Sequence, residues 1–353
     1  MTWLWFFAKI GVALGIIFSL GPVCIMGDRK ISAWIQGRVG PNRVGPWGTF
    51  QPIADILKLM MKEVIVPDGV DKVLFLGGPL IVFIAPVFGY CVIPFGNQIG
   101  EEKLQVVNLD IGLLFIMSVL SVGVYGITLG GWASNNKFSL MGSLRASAQL
   151  ISYELTFGLT MLLVVMMSAS ADPLKSASVD LSKIVLHQAE YGWNIFGGAT
   201  WWGLPSGLIG FVLLFTCAMA ENNRLPFDMA ECEAELVGGY HTEYSGMGFA
   251  MYMFSEYCSM ILSASLIVTL FLGGWSFPYL TDPADHSFLA GVISIGVFFT
   301  KICIILFLYI QLRWTLPRFR YDQVMSLGWK TFLPLALVNI GYMAVIGVFL
   351  EKP

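Results

Sequence analysis

The sequence predicts an all-α fold that crosses a membrane several times. Of its 353 residues, 56% are hydrophobic and 12% are charged, whereas about 25% of the residues in a soluble domain are charged. The mean hydropathy is +0.74. The 38 glycines and 11 tryptophans are typical of a helical membrane protein, because small residues permit close helix contact and tryptophan marks the membrane interfaces. The composition excludes a water-soluble globular protein, and the formal net charge of -3 provides no basic excess for binding nucleic acid.

Eight segments are long and apolar enough to cross a bilayer, which takes about 20 helical residues. The predicted spans are residues 3–26, 73–94, 110–132, 146–169, 204–220, 248–272, 288–312 and 329–350. The first span has no small-residue cleavage site, so we expect it to remain as an anchor. Residues 1–353 are expected to form a single membrane domain.

Lysine and arginine are divided unevenly between the two sides of the membrane. The loops at residues 27–72, 133–145, 221–247 and 313–328, with their flanks, carry 14 of them, and the opposite side carries four. Such residues are retained on the cytoplasmic side during insertion. These loops are therefore predicted to face the cytoplasm or its organellar equivalent, and both termini to face outward. Function is expected to concentrate on the inner side.

The six cysteines and three histidines are dispersed along the chain. Iron–sulfur clusters and structural zinc need clustered thiolates or imidazoles, and no C-x-x-C pair occurs. No glycine-rich motif for a dinucleotide or a nucleoside triphosphate occurs either. The sequence therefore predicts no metal site and no redox centre in this chain, so the electrons for any redox reaction would come from another subunit.

The first inner loop, residues 28–48, is dense in glycine and proline and carries four basic side chains. We expect an irregular but stiff segment, neither helix nor strand, that holds Arg29, Arg38 and Arg43 at fixed places near the membrane surface. The alternative is a basic loop that only contacts anionic lipid. Charge alone does not require this density of glycine and proline.

Residues 53–65 have the pattern of an amphipathic helix that lies in the membrane interface. Asp55, Lys58 and Lys62 follow a spacing of i, i+3 and i+7, which places them in one polar stripe on an otherwise apolar helix. Thirteen residues are too few to span, and Pro52 suits a first helical turn. Either this is a surface helix with one Asp–Lys pair, or it forms the wall of an amphipathic cavity where a lipid-soluble molecule presents a polar head to Asp55.

The loop after the fifth span, residues 220–236, which we call the acidic loop, holds five acids around one arginine, Arg224. These acids are Glu221, Asp228, Glu231, Glu233 and Glu235. Asp228 and Glu231 fit a capping box, which predicts a short helix beginning there. Crowded carboxylates raise one another's pKa values, so this loop is expected to exchange protons rather than only to be solvated.

Two acids fall within predicted spans, Glu154 in the fourth and Glu256 in the sixth. An ionised carboxylate at mid-membrane costs about 2.5–3.5 kcal/mol, so each is expected to be paired, protonated or hydrated. Tyr252, Glu256 and Ser259 lie on one helix face that has room for water. Lys301 is the candidate counter-charge, and the alternative role for these groups is interhelical hydrogen bonding.

Four motifs together resemble one protein family. They are D-R-K…Q-G-R-V-G-P-N-R-V-G-P-W-G in residues 28–48, L-R-A-S-A-Q-L-I-S-Y-E in 144–154, A-E-N-N-R-L-P-F-D…E-C-E-A-E-L in 220–236 and R-W-T-L-P-R-F-R-Y-D-Q in 313–323. The family is the quinone-site membrane subunit of respiratory complex I, which is called the H subunit of NADH:quinone oxidoreductase in bacteria and subunit 1 of NADH dehydrogenase in mitochondria. The resemblance covers nearly the whole chain in order.

The resemblance implies a membrane subunit of a proton-translocating NADH:quinone oxidoreductase. Its quinone chamber would be lined by Asp28, Arg29, Arg38, Asp55, Lys58 and Arg224. Its proton pathway would run through Arg145, Tyr153, Glu154, Glu221, Asp228, Glu231, Glu233, Glu235 and Glu256. Quinone is the implied substrate, and iron–sulfur clusters and FMN are implied only in partner subunits. Those partners are the peripheral-arm iron–sulfur subunits, which roof the chamber, and the small and antiporter-like membrane subunits. The loop at residues 313–322 resembles the segment that packs against the peripheral arm.

Two positions depart from the family pattern. Asp28 stands where glutamate is general, and Cys232 stands where glycine is usual. Asp28 keeps the charge but reaches one methylene less, and Cys232 adds a thiol that can be modified if it is exposed.

Two other functions remain open from the sequence. One is the homologous membrane subunit of an energy-converting membrane-bound hydrogenase, which shares the loop motifs. The other is an ion carrier that works alone through the acids within its spans. The expected location is the bacterial plasma membrane, with the mitochondrial inner membrane as the less favoured alternative.

Overall fold

The structure, a computed structural model, describes residues 2–100, 102–170, 178–198, 201–230, 232–278 and 280–350. Its α-helices are α1 (Thr2–Ile35), α2 (Gln51–Met61), α3 (Lys72–Tyr90), α4 (Gly112–Ala133), α5 (Lys137–Ser170), α6 (Leu181–Tyr191), α7 (Leu204–Glu221), α8 (Glu233–Leu236), α9 (Gly246–Phe271), α10 (Phe288–Thr315), α11 (Tyr321–Ser326) and α12 (Leu333–Leu350). A π-helical segment, Leu327–Phe332, joins α11 to α12. Strands β1 (Gln98–Ile99) and β2 (Glu102–Lys103) form a small antiparallel hairpin.

The prediction of an all-α membrane protein with eight spans is confirmed. Within the described residues, eight helical segments are long and apolar enough to cross a membrane. They are Trp5–Ile35, Lys72–Tyr90, Gly112–Ala133, Lys137–Ala169, Trp201–Glu221, Gly246–Phe271, Phe288–Thr315 and Tyr321–Gly347. All eight coincide with the predicted spans, although several extend further on the side expected to be inner.

Helix α1 extends nine residues beyond the predicted end of the first span. The expectation that residues 28–48 contain no helix was therefore wrong for their first part, since α1 continues to Ile35. Gly37 follows two residues after the end of the helix with a left-handed φ of +66°, and Arg38 N–H bonds back to the carbonyl oxygen of Ala33 at 2.9 Å. Glycine suits this conformation because it has no Cβ. Because α1 continues to Ile35, Asp28 is held on a rigid helix.

Helix α5 also begins earlier than predicted, at Lys137 instead of residue 146. The side chain of Asn136 accepts a hydrogen bond from Phe138 N–H at 2.9 Å and so satisfies a free donor of the first turn. The polar residues of this turn lower the hydropathy but do not oppose helix formation. Arg145 consequently lies on the same continuous helix as Glu154.

The helix predicted for residues 53–65 is present as α2, with Pro52 in its first turn. It packs against α1 and α9. The apolar side chains of Ile56, Leu57, Met60 and Met61 are exposed on the chain, so they are turned away from the protein core. The helix ends at Met61, four residues before the predicted end.

Helix α9 lies at the centre of the bundle. It packs against α1, α3, α7 and α10, and its residues 260–271 are all buried. Glycine permits a close approach beside it, because a Cβ added to Gly78 of α3 would lie 2.9 Å from Gly130 Cα of α4 and 2.8 Å from Tyr252 Oη of α9. Through α9, Glu256 is carried into the protein and away from lipid.

The loops that carry most of the basic residues meet at one end of the bundle. Ser139 donates to the carbonyl oxygen of Tyr240 at 2.8 Å, and Phe319 N–H donates to that of Pro226 at 3.2 Å. At the opposite end, Asn97 N–H donates to Ser294 Oγ at 3.0 Å. The two sets of loops therefore lie at opposite ends of the bundle, as the alternation of spans requires. We call the end that carries the basic loops the inner end and the other the outer end.

Candidate functional site

Asp28 is the centre of a buried ionic cluster at the inner end. The structure brings it together with Arg313 of α10, which donates to Asp28 Oδ2 at 2.5 Å. Tyr257 Oη of α9 donates to the same oxygen at 3.3 Å, and Arg224 Nη1 lies 3.9 Å from it. Asp28 is 8% exposed. A buried carboxylate needs this pairing, because its charge is costly away from water.

Arg224 joins this cluster to the acid of the sixth span. Its Nη2 lies 3.4 Å from Glu256 Oε2, and its guanidinium group lies 4.4 Å from the ring centre of Tyr257. Burial alone would lower the pKa of Arg224, but Tyr257, Glu256 and Asp28 together raise it above its ordinary value. Asp28, Glu256, Arg224 and Arg313 form what we call the inner ionic cluster, which holds two anions and two cations.

Glu256 has a second partner in the loop that precedes α9. Tyr240 Oη donates to Glu256 Oε1 at 3.2 Å. Tyr240 lies in the short helical turn Gly239–His241, and its side chain is 1% exposed. The carboxylate thus has one oxygen directed at a cation and the other at a neutral hydroxyl.

Glu154 and Glu221 share a cavity inside the bundle. The cavity has a volume of about 60 Å³ and is also lined by Ser259, so a few water molecules fit within it. Ser121 of α4 donates a hydrogen bond to Glu154 Oε1. Among the described residues no donor reaches Glu221 Oε2, which is buried. The structure therefore brings together the acid of the fourth span and the first acid of the acidic loop.

The acidic loop is bound to its surroundings by arginines from other elements. Asp228 Oδ2 accepts a hydrogen bond from Arg318 at 2.8 Å, and Glu235 Oε2 accepts one from Arg145 at 2.5 Å. Arg318 also lies 3.2 Å from the Cys232 sulfur. Cys232 is buried, so its thiol is not exposed for modification.

The predicted capping box at Asp228 was wrong. Helix α8 begins at Glu233, with Cys232 in the N-cap position. The Asp228 carboxylate instead pairs with Arg318 in a charge-assisted bond. Glu231 lies outside the described residues, and the side chain of Glu233 does too.

Arg29 and Asp55 form a second ion pair at the inner end. Arg29 Nη1 donates to Asp55 Oδ2 at 2.5 Å, and Gln51 donates to the other carboxylate oxygen at 3.1 Å. The partner of Asp55 is therefore Arg29 of α1, not a lysine of its own helix. Arg38 donates to Gln36 at 2.6 Å, and Lys58 is exposed. The structure therefore does not bring Arg38 or Lys58 to the Arg29–Asp55 ion pair.

Two further polar residues of α5 fix the surroundings of the acids. Gln149 is fully buried, and its amide donates at 2.8 Å to the carbonyl oxygens of both Ala220 and Phe227. Tyr153 Oη donates to the carbonyl oxygen of Val324 at 2.8 Å. The amide thus closes residues 220–227 into a loop that presents Arg224 to the inner ionic cluster.

Lys301 is not the counter-charge of the span acids, and that expectation was wrong. Its amino group donates to three carbonyl oxygens, those of Leu272 (2.6 Å), Gly274 (3.0 Å) and Ser276 (2.6 Å). It also lies 4.6 Å from the ring centre of Trp193. The carbonyl groups that follow α9 have no partner within the helix and attract a cation. The amino group of Lys301, which is on α10, therefore lies at the outer end of α9.

The sequence analysis did not assign to the site several residues that complete these contacts. Arg313 and Arg318 were assigned only to a loop that packs against a partner, and Tyr240, Tyr257 and Gln149 were not assigned as site residues. The sequence did contain a signal for the arginines. Residues 220–236 hold five acids and a single basic residue, and buried acids need cations, so arginines from other segments could have been expected beside them. Among the described residues, no group of three or more His, Cys, Asp or Glu is arranged to hold a metal ion.

Comparison with known proteins identifies the family. The profile described as NADH dehydrogenase matches residues 8–344. The chain is 43% identical over 332 residues to an H subunit of NADH-quinone oxidoreductase from Cytophaga hutchinsonii, covering 92% of each chain. It is 42% identical over 345 residues to the H subunit from Flavobacterium johnsoniae, covering 95% of this chain and 94% of the relative. NADH-quinone oxidoreductase subunit 8 of Rhodothermus marinus is 43% identical over 329 residues, covering 92% and 91%. This chain is therefore a multi-pass membrane protein that belongs to the NADH dehydrogenase family, among relatives named as H subunits of NADH-quinone oxidoreductase.

Proposed function

We propose that this chain forms the membrane part of the quinone chamber of a proton-translocating NADH:quinone oxidoreductase and couples quinone reduction to proton movement. The names of its relatives support this reaction over the hydrogenase alternative. The observation that carries the coupling role is the inner ionic cluster, in which Arg224 lies between Asp28 at 3.9 Å and Glu256 at 3.4 Å.

The chamber side of the proposal begins at the inner end of α1. Asp28 and Arg29 are neighbours there, and Arg29 pairs with Asp55 of the interfacial helix α2. The exposed apolar side chains of α2 provide a lipid-like surface beside this charged pair. A molecule with a greasy tail and a polar head would meet both kinds of surface, as an interfacial amphipathic helix provides.

Coupling follows from the electrostatics of the cluster. At an effective dielectric constant of about 20, unit charges 4 Å apart interact by about 4 kcal/mol. A change of charge in the chamber near Asp28 is therefore felt by Arg224 and, through it, by Glu256. Glu221 begins the acidic loop only three residues before Arg224 and shares its cavity with Glu154, so the same change reaches the two remaining acids.

The redox groups are assigned to other subunits in this proposal. Iron–sulfur clusters and FMN would belong to peripheral-arm subunits, which deliver electrons to the quinone. The small and antiporter-like membrane subunits would receive the proton signal, and all of them would lie in or on the bacterial plasma membrane. Both termini of this chain would face outward, because its basic loops are retained inside.

Two substitutions test the proposal. In membranes that contain the assembled complex, Asp55→Asn and Glu221→Gln should each depress quinone reduction or proton translocation while assembly survives. Asp110→Asn is the matched control, because its side chain is 89% exposed at the outer end. Normal quinone reduction and proton translocation in both variants would contradict the proposal.

A further inference from the structure

We infer that Tyr240 is a positioning residue that holds the Glu256 carboxylate and connects it to the acidic loop. The inference rests on the proposed function for the importance of Glu256, and it adds a residue that no motif singled out. Tyr240 belongs to the turn Gly239–His241, which lies between α8 and α9.

The hydroxyl group of Tyr240 completes the binding of Glu256. It donates to Glu256 Oε1 at 3.2 Å, while the other carboxylate oxygen, Oε2, lies 3.4 Å from Arg224. Both contacts are sheltered, since the side chains of Arg224 and Glu256 are 13% and 10% exposed. A carboxylate held from two directions by donors on separate segments has a fixed orientation.

The turn that carries Tyr240 is itself fixed to α5. Ser139 donates to the carbonyl oxygen of Tyr240 at 2.8 Å. Gly142 lies against the same backbone, because a Cβ added there would be 2.8 Å from Gly239 Cα and from Tyr240 N. The ring also packs edge-to-face on Tyr252 of α9, with 5.1 Å between ring centres. The hydroxyl therefore cannot leave Glu256 unless the turn moves relative to α5 or α9.

This attachment gives the acidic loop a direct mechanical link to a span acid. Arg145, three residues after Gly142 on α5, binds Glu235 of the loop. Glu235 and Tyr240 flank the same short connection, so a displacement of the loop acts on the Tyr240–Glu256 hydrogen bond. Arg224 acts on Glu256 from the start of the loop, and Tyr240 acts on it from the turn that follows the loop.

The test removes only the hydroxyl group. Tyr240→Phe keeps the buried ring, and Tyr244→Phe is the matched control from the same loop. The Tyr244 hydroxyl donates to backbone carbonyl oxygens, those of Phe75 at 3.0 Å and Gly130 at 3.2 Å, and not to a carboxylate. Both variants would be made in the assembled complex, and quinone turnover, proton translocation and the carboxyl bands of the redox-induced infrared difference spectrum would be measured. Glu256→Gln identifies the band that belongs to Glu256.

We expect Tyr240→Phe to shift the Glu256 band and to lower proton-coupled turnover by about threefold to tenfold, the size of the net contribution of one hydrogen bond. The KM for quinone should stay unchanged, and Tyr244→Phe should match the native complex in both measurements. A Tyr240→Phe complex whose Glu256 band and turnover equal those of the Tyr244→Phe complex would overturn the inference.

A second variant keeps the test decisive if Tyr240→Phe fails to assemble. Site-specific 3-fluorotyrosine at position 240 preserves the ring and makes its hydroxyl a stronger donor, so the Glu256 band should shift without loss of assembly. An unchanged band would overturn the inference. The failures of the two proposals are distinguishable: normal proton translocation in Glu256→Gln contradicts the assigned role of Glu256, whereas the band shift tests the contact itself.

Discussion

The pairing of Arg224 with Glu256 gives the most quantitative prediction. Removal of one partner from a buried ion pair costs about 3–5 kcal/mol, because the other charge is left uncompensated. Coulomb's law gives a similar value, about 5 kcal/mol at 3.4 Å and an effective dielectric constant of about 20. Arg224→Gln leaves the inner ionic cluster with two anions and one cation. The double variant Arg224→Gln/Glu256→Gln leaves one anion and one cation, Asp28 and Arg313, which pair with each other.

The two single variants and the double variant form a thermodynamic cycle with the native protein. Heat-inactivation rates of the assembled complex at one temperature give the coupling energy, which we expect to exceed about 2 kcal/mol, or about thirtyfold in rate. Lys183 and Asp110 provide a matched control cycle. Their pair spans 3.4 Å too, but the side chains are 58% and 89% exposed, so its coupling should stay below about 1 kcal/mol. A double variant as labile as the sum of the two single effects would refute the charge-balance reasoning.

Three other substitutions probe the fold and the site. Gly130→Ala should abolish assembly, because the added Cβ would lie 2.0 Å from Tyr252 Oη, whereas Gly341→Ala, with nothing within 4 Å, should assemble normally; native gel electrophoresis of membranes compares them. Gln149→Leu should lower the free energy of unfolding by about 2 kcal/mol, since two buried carbonyls lose their donor, and the thermal midpoint of inactivation measures this loss. Arg29→Gln should raise the KM for quinone through loss of its ion pair, as steady-state kinetics with a soluble quinone analogue would show; an unchanged KM would count against a chamber wall at this pair.

The membrane fold is predictable from the sequence because its main determinant is local. Runs of about 20 apolar residues must become helices in lipid, where each backbone polar group needs an internal partner. Helix ends are less predictable by hydropathy. Residues 27–35 and 137–145 are polar enough to resemble loops, yet they continue α1 and α5 as rigid helices.

The partners of the charged residues are not predictable in the same way, because they depend on contacts between distant segments. Asp28 and Arg313 are 285 residues apart, and no local pattern relates them. Asp228 has the local pattern of a helix cap, but Arg318, 90 residues further on, binds it instead. For Lys301 the error was to expect an acidic partner. It is the basic residue nearest the middle of a span, but the carbonyl groups at the end of α9 bind it instead of a carboxylate.

The two groups of acids differ in how their charge is compensated, and this difference bears on the order of events. The inner ionic cluster pairs each carboxylate with an arginine, so its net charge stays near zero while its geometry is intact. The cavity of Glu154 and Glu221 has no lysine or arginine among the described residues that line it, and it offers a serine hydroxyl and space for water. Buried carboxylates without cations depend on protons and water for compensation. Under the proposed function, the cluster is therefore suited to sensing charge in the chamber, and the cavity is suited to taking up or releasing the proton that follows.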